Sequence, residues 1–414
     1  MKLLKLKNKR ILILGFGREG RDTYAFLKKE GLDSSFGIAD QKEDIKEDGV
    51  KTHLGSSYLK AIPKYDVIIR TPGIALRKIQ EHLTEDQILT SQTEIFFSNT
   101  KGTIIGITGT KGKSTTASLI YEVLKKSGVK VHLIGNIGKP VLQFLRNSSK
   151  DDVFVYELSS FQLATLKLSP HIAVFLNLYE EHLDWHGTFK DYAEAKANIT
   201  RFQTKDDYLI FNAGDARVNT IADSSKAQKL GFEEKQKSQL AAAQEPVLLV
   251  AELFDIPQKT ALNIIKEFKG LEHRLQKVGT YNGITFYNDS LATIPEATIA
   301  ALDILGDDVQ TLIAGGLDRG VSYKILGQRI QDSNIKTLIL FPETGEKILE
   351  ATNNSELNHV FVNTMQKALD AAFSATEKGR ICLLSPASSS FNLFKDYEDR
   401  GNQFIMYAKK GSRS

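Results

Sequence analysis

The stretch Gly109-Thr110-Lys111-Gly112-Lys113-Ser114-Thr115 constrains this chain more than any other. Ahead of it, Thr103 to Thr108 is apolar and β-branched, the make-up of a buried strand. Behind it, Thr116 to Lys126 has the length and apolar spacing of a helix, closed by Gly128. A strand, a glycine-rich turn and a helix together aim backbone N–H groups and a positive helix end at phosphate. In that frame Lys113 reaches the outer phosphates and Ser114 holds Mg²⁺, so Gly109, Thr110, Lys111, Gly112, Lys113, Ser114 and Thr115 are candidate ATP-binding residues. Gly106 and Gly112 enclose five residues, longer than the usual phosphate-loop spacing. The competing reading is a solvated lysine–glycine turn, which the flanking strand and helix disfavour.

With 414 residues the chain exceeds one core, and two or three domains are expected. Basic and acidic residues number 54 and 50, a net charge of +4 without a long basic run. That gives no case for nucleic acid and suits a small anionic substrate. The single cysteine, Cys382, excludes an internal disulfide and fits a reducing compartment. The apolar run Ile11–Leu14 stops at Gly15-Phe16-Gly17, so it reads as a first strand and not as a signal peptide. No stretch approaches the ~20 apolar residues of a membrane span. A soluble, cytoplasmic protein with no membrane partner is expected.

The first segment runs from strand Arg10–Leu14 through Gly15-Phe16-Gly17-Arg18-Glu19-Gly20 into a helix, then to strand Ser35–Ala39 ending in Asp40. An acid 20 residues beyond the third glycine completes the dinucleotide fingerprint. Alone it suggests an NAD-dependent oxidoreductase, but such a loop can hold the diphosphate of any nucleotide. Strand Asp66–Ile69 leads into Arg70-Thr71-Pro72-Gly73, a turn at a strand's carboxyl end, where ligands gather. The segment closes at the polar turn Asn99–Gly102.

Strands are readable next at Thr103–Thr108, Val131–Ile134, Val153–Glu157, Ile172–Asn177 and Tyr208–Asn212. Their continuous apolar character predicts a parallel sheet covered on both faces. Asn136, Glu157, Asn177 and His182 follow strand ends, on the rim that carries Lys113. The span from Asp215 to Pro246 is polar and unassigned. After Lys269-Gly270 come strands Ile284–Tyr287, Thr311–Ala314, Thr337–Phe341, His359–Val362 and Ile381–Leu384. The expected fold is α/β, with three domains in series. These are a Rossmann-like domain over 1–99, a central phosphate-loop ATPase domain with a parallel sheet over 100–269, and a Rossmann-like α/β domain over 270–414.

Glu157, on the strand beside the phosphate loop, is placed to complete the shell of a nucleotide-bound Mg²⁺, the alternative being a buried paired acid. His182 follows a strand in a loop dense in ligand types, and serves either metal, substrate or structure. Nothing in spacing marks Lys196, which by composition is a solvated lysine on an exposed helix, Tyr192–Lys196.

The run Gly109–Thr115, Glu157-Leu-Ser-Ser-Phe-Gln-Leu163, the His182 loop and Tyr192–Lys196 together resemble the Mur ligases of peptidoglycan synthesis, in particular their glutamate-adding branch. The likeness continues through Gly135-Asn136-Ile137-Gly138, Glu272-His273-Arg274, Asn288-Asp289-Ser290, Leu384–Ala387 and Asp399-Arg400-Gly401, so it covers nearly the whole chain.

The resemblance implies an ATP-dependent, ADP-forming ligase that adds glutamate, D-glutamate first, to UDP-N-acetylmuramoyl-L-alanine through an acyl phosphate. It assigns the UDP-substrate to Gly15, Phe16, Gly17, Asp40, Thr71 and Gly73, and its muramoyl-alanyl end to Asn136 and His182. It places His273, Arg274 and Asp289 around ATP, with Arg274 near the transferred phosphate. Two Mg²⁺ sites are implied, on Ser114, Glu157, His182 and a carbamylated Lys196. Lys113, Glu157, His182, Lys196 and Arg274 would be catalytic. A monomer whose third domain closes over ATP is expected.

The pattern breaks at several positions. Leu291 stands where the family usually has lysine, Arg319 replaces another lysine, and Tyr397 replaces phenylalanine. Thr293, Arg319, Ser390 and Tyr397 are the glutamate-site candidates, with an arginine fork in place of a point charge. The usual adenine contacts are missing from Ser238–Gln244. L-glutamate as the added amino acid, and an inactive nucleotide-binding homologue, therefore stand as alternatives beside the oxidoreductase.

Overall fold

A computed structural model describes residues 1–135, 141–233, 239–268, 270, 272–318, 321–353 and 357–411. The chain divides into two compact units, Met1–Phe268 and Lys269–Ser414.

The first unit holds two parallel sheets. In the first sheet, β1 (Arg10–Leu14), β2 (Ser35–Asp40), β3 (Lys51–Leu54), β4 (Val67–Arg70) and β5 (Ile88–Thr90) lie in the order β3-β2-β1-β4-β5. Alternate β1 residues serve opposite faces: Ile11 and Ile13 enter one core, Leu12 and Leu14 another. Burial on both faces explains the unbroken apolar run. The second sheet contains β6 (Thr103–Thr108), β7 (Val131–Gly135), β8 (Val153–Glu157), β9 (Ile172–Phe175), β10 (Tyr208–Asn212) and β11 (Gln228–Phe232), in the order β11-β10-β9-β6-β8-β7. Strand β6 therefore sits between β8 and β9. The chain leaves it for one edge and later crosses to its other side, so the strand order reverses at β6. Ligands bind beyond the carboxyl ends of strands at such a reversal.

Helix Gln92–Asn99 joins the two sheets into one body. Its Phe96 meets Phe154 and Tyr156 of β8 edge-on, at 5.1 and 5.8 Å between ring centres. Ser91 caps this helix by accepting from the Glu94 N–H.

The second unit is built on β12 (Gln276–Tyr281), β13 (Ile284–Asn288), β14 (Val309–Gly316), β15 (Thr337–Glu343), β16 (Asn358–Phe361) and β17 (Ile381–Leu384), ordered β12-β13-β17-β14-β15-β16. Only the β12–β13 hairpin is antiparallel among these pairings. Cores lie on both faces, one around Phe286 and Phe404, the other around Leu312 and Leu338.

The α/β class and parallel sheets match the sequence expectation. Strands β3, β5, β11 and β12 carry no long apolar run and escape it; all four are sheet edges, where polar residues are tolerated. The unassigned stretch contains helix Ala216–Asp223, β11 and helix Gln239–Leu253. Lys196 differs most: it lies on the inward face of helix Phe189–Arg201 and is fully buried, not solvated.

Candidate active site

The phosphate-loop stretch connects β6 to helix Lys113–Lys126. The helix starts at Lys113, three residues earlier than its apolar spacing predicts, because Gly112 turns the chain at φ 83°, a left-handed conformation suited to glycine. The loop is held from beneath by Asn177, just past β9. The Lys111 N–H donates to Asn177 Oδ1 at 2.8 Å, the Asn177 amide donates back to the Lys111 carbonyl at 3.2 Å, and the Thr110 N–H donates to the Asn177 carbonyl at 2.9 Å. Thr110 Oγ1 meets the Tyr192 hydroxyl at 3.0 Å and accepts from the Tyr179 N–H at 2.9 Å. Ser114 is buried at the helix start. The Lys113 ammonium folds back to donate to the carbonyls of Gly109, at 3.0 Å, and Thr110, at 2.9 Å.

Glu157 closes β8 beside Ile107 of β6 and is buried. Lys196 approaches the same loop from below, its ammonium 2.7 Å from the Gly109 carbonyl and 3.4 Å from Thr108 Oγ1. Burial, reinforced by the Lys113 charge, holds the Lys196 ammonium well below the ordinary lysine range, against the weaker pull of Glu181 and Glu157. Tyr192, one helical turn earlier, is also buried, and burial pushes its phenol up to about 12. His182 adopts φ 56° ahead of the short helix Leu183–His186. Its ring stays partly exposed, 3.6 Å from the Glu181 carboxylate and 4.9 Å from the Phe161 ring centre.

Among the described residues no group of three or more His, Cys, Asp and Glu could by itself hold a metal. Ser114 and Glu157 nevertheless offer hard oxygen donors at the loop that faces phosphate. Mg²⁺ suits that set, because it keeps waters and substrate phosphates as ligands and needs no all-protein cage. An unmodified Lys196 ammonium does not fit a cation.

At the first sheet, Gly15 turns at φ 91°, and a Cβ there would stand 2.0 Å from Thr71 Oγ1. Thr71 in turn donates from its N–H and its hydroxyl to the Leu14 carbonyl, at 2.9 and 3.0 Å. The loops after β1 and β4 are thus pressed together. Asp40 ties the loop after β1 to the turn after β2, one carboxylate oxygen accepting from the Phe16 N–H at 2.6 Å and the other from the Lys42 N–H at 2.9 Å. Phe16 is buried, whereas Gly17 and Gly73 have open space where a side chain would be.

In the second unit Asp289 accepts from Ser385 Oγ at 2.8 Å and from the Leu275 N–H at 3.0 Å, and burial pushes its carboxyl up to about 6. Leu275 follows His273 and Arg274, so these bonds bring Arg274 beside Asp289. The buried His273 ring sits 2.9 Å from the Asn288 amide, and burial lowers its pKa. The fully buried Arg400 donates to Ser290 Oγ at 3.0 Å, the Ser290 carbonyl at 2.8 Å and the Ser388 carbonyl at 3.1 Å. Ser290 Oγ donates to the Tyr397 carbonyl at 2.8 Å. These bonds draw together Ser290, Ser388, Tyr397 and Arg400; buried Ser390 follows Ser388 by two positions, and half-buried Thr293 follows Ser290 by three. Asn136 and Arg319 lie outside the described residues.

Three groups that organise these loops carry no spacing signal of their own. In sequence Arg400 stands only as part of a motif, Tyr192 only as a neighbour of Lys196, and Arg70 only as a turn residue. Each acts through tertiary contacts, which leave no local spacing signal.

Two family models match the chain, the Mur ligase middle domain over residues 107–282 and the Mur ligase glutamate ligase domain over 273–388. A UDP-N-acetylmuramoylalanine--D-glutamate ligase from Acetivibrio thermocellus is 33% identical, covering 97% of this chain and 96% of the relative. One of the same name from Geobacillus kaustophilus is 34% identical, covering 96% and 97%. Among solved structures, UDP-N-acetylmuramate-alanine ligase MurC from Thermotoga maritima superposes with a TM-score of 0.56 at 14% identity, over 97% of this chain and all of the other. MurF ligase from the same organism, in complex with ADP, does so with a TM-score of 0.56 at 16% identity, over 99% and 96%.

Proposed function

The chain belongs to the Mur ligase family, ATP-dependent, ADP-forming amide ligases, and from that premise we propose that it joins D-glutamate to UDP-N-acetylmuramoyl-L-alanine in peptidoglycan precursor synthesis. The observation that carries the reading is the meeting of Lys113, Glu157 and Lys196 around the loop after β6, at the point where the strand order reverses. The relatives named for D-glutamate match end to end, which favours that isomer over L-glutamate. An oxidoreductase built on Gly15–Gly20 would leave these three residues without a task.

The chemistry follows from what an amide synthesis lacks. A carboxylate is a poor electrophile, so its oxygen first takes the outer phosphoryl group of ATP, releasing ADP. The amine of glutamate then attacks the acyl carbon, and phosphate departs with the carboxylate's former oxygen. No protein nucleophile is required; the protein positions groups and stabilises charge. The N–H groups of the loop and Lys113 hold the phosphates, and Arg274 meets the one transferred. Gly15 to Gly17, Asp40, Thr71 and Gly73 hold the uridine diphosphate, and His182 and Asn136 the alanyl end. Thr293, Arg319, Ser390 and Tyr397 hold glutamate, and His273 and Asp289 the nucleoside side of ATP.

Ser114, Glu157, His182 and modified Lys196 would hold two Mg²⁺ ions, which supply positive charge to the transferring phosphoryl group. For Lys196 the modification is a carbamate. The ammonium first gives one proton to solvent; the neutral amine then adds to CO₂, an N–C bond forms and a second proton leaves, so a buried cation becomes an anion. The depressed basicity of Lys196 favours the amine that this addition needs.

Phosphate release from ATP, measured with UDP-N-acetylmuramoyl-L-alanine and either glutamate isomer, tests the assignment. Release with D-glutamate is expected. Release only with L-glutamate overturns the isomer, and release with neither overturns the ligase reading.

A further inference from the structure

Arg70 ends β4 and is 1% exposed, one of the largest side chains so fully enclosed among the described residues. A buried guanidinium is costly unless its donors are used. Here the Nη donors are divided between segments far apart in sequence, while Nε has no hydrogen-bond partner among the described residues. Nη1 donates to the Ile74 carbonyl at 2.7 Å and, at longer range, to the Thr71 carbonyl at 3.4 Å. Nη2 donates to the Phe161 carbonyl at 2.9 Å and to Thr165 Oγ1 at 3.3 Å. The guanidinium also lies over the Trp185 ring, 5.6 Å from its centre, and is attracted by the Glu19 carboxylate.

One planar fork therefore ties together three elements. The first is turn 71–74 beside the Gly15 loop. The second is the Phe161–Thr165 segment that continues from Glu157. The third is the short helix Leu183–His186, which His182 precedes and which carries Trp185. Lysine has no second arm with which to join the first two.

We propose that Arg70 is a positioning residue that sets the separation between the nucleoside-diphosphate end and the alanyl end of the acceptor. This rests on the reading above, in which Thr71 and Gly73 take the diphosphate and His182 the alanyl end. A ligand gripped at both ends gains from the second grip only while the spacing between grips is right. A small error there also displaces the carboxylate from its line of attack. UDP alone uses one grip and is indifferent to the spacing.

The test is calorimetry on the full chain without ATP, with UDP and with UDP-N-acetylmuramoyl-L-alanine as ligands, for wild type, Arg70→Lys and the milder Thr165→Val. Arg70→Lys is expected to weaken the full acceptor about tenfold and leave UDP within about threefold. Thr165→Val, which removes one acceptor of the fork, is expected to act in the same direction by about threefold. In the steady state the acceptor KM rises while the KM for ATP holds. Equal losses for both ligands, or no loss for either, overturn the proposal even when the wild type is an active ligase. A wild type that binds neither ligand overturns the ligase reading as well.

Discussion

The side chains of Lys113 and Lys196 converge on one acceptor, the carbonyl oxygen of Gly109, at 3.0 and 2.7 Å. Two ammonium groups at one oxygen repel, and burial falls on Lys196. The pair is resolved if Lys196 gives up its charge while Lys113 keeps its own for phosphate. The proposed carbamate on Lys196 would supply that division, at a lysine that helix Phe189–Arg201 packs against the phosphate loop.

Lys196→Ala should lower kcat at least about a hundredfold, the scale of losing a charge-stabilising group. Short carboxylic acids such as acetate should restore part of the activity, because they return an anion to the vacated space. Rescue is read from kcat against acid concentration at saturating Mg²⁺. No recovery at any concentration contradicts the carbamate.

Asn177→Ala removes both side-chain hydrogen bonds that hold Lys111. Losing buried partners costs about 1–3 kcal/mol, and the loop bears that cost. The KM for ATP should rise about tenfold, while UDP binding stays as in the wild type. An unchanged KM for ATP would show that the loop holds its shape without Asn177.

Gly15→Ala places a methyl group against Thr71 Oγ1 in a conformation disfavoured for alanine. UDP binding by calorimetry should fall at least tenfold, on the order of the strain involved. Unaltered binding would remove the Gly15–Thr71 junction from the nucleotide site.

Glu19 gives a pH dependence of stability. Its Oε1 is shielded from solvent, and burial pushes its carboxyl up to about 7, with Asp22 adding and Arg70 opposing. A raised carboxyl pKa means the folded state holds the proton more tightly. Stability is then full below the unfolded value of 4.5 and falls as pH rises through about 7. The loss is at most about 3 kcal/mol. Melting temperatures of wild type and Glu19→Gln at pH 5 and pH 8 should diverge, the wild type falling further. Parallel behaviour contradicts a perturbed Glu19.

Much of this site was legible because its motifs are local. Gly109–Thr115 lies between a strand and a helix that can be read from neighbouring residues, and Glu157 ends an apolar run. Lys196 shows the limit. Its helix is polar on one side, and only the packing of Tyr192 and Ile199 against the second sheet turns Lys196 inward. Arg70 is likewise silent in sequence, because its partners at Phe161 and Thr165 lie about ninety positions away. Polar edge strands such as β3 and β11 escape notice because half-exposed strands need no apolar run. The expected boundary at Asn99–Gly102 falls inside the compact unit Met1–Phe268, in which Phe96 packs on Phe154 and Tyr156.

The central claim is that the acceptor's carboxylate is activated by phosphoryl transfer before the amine attacks. It is tested most directly with UDP-N-acetylmuramoyl-L-alanine carrying ¹⁸O in its alanyl carboxylate, turned over with ATP and D-glutamate, followed by mass spectrometry of the released phosphate. One labelled oxygen in each phosphate is predicted, because the bridging oxygen leaves with phosphorus. Phosphate free of label, formed alongside the amide product, would contradict the account.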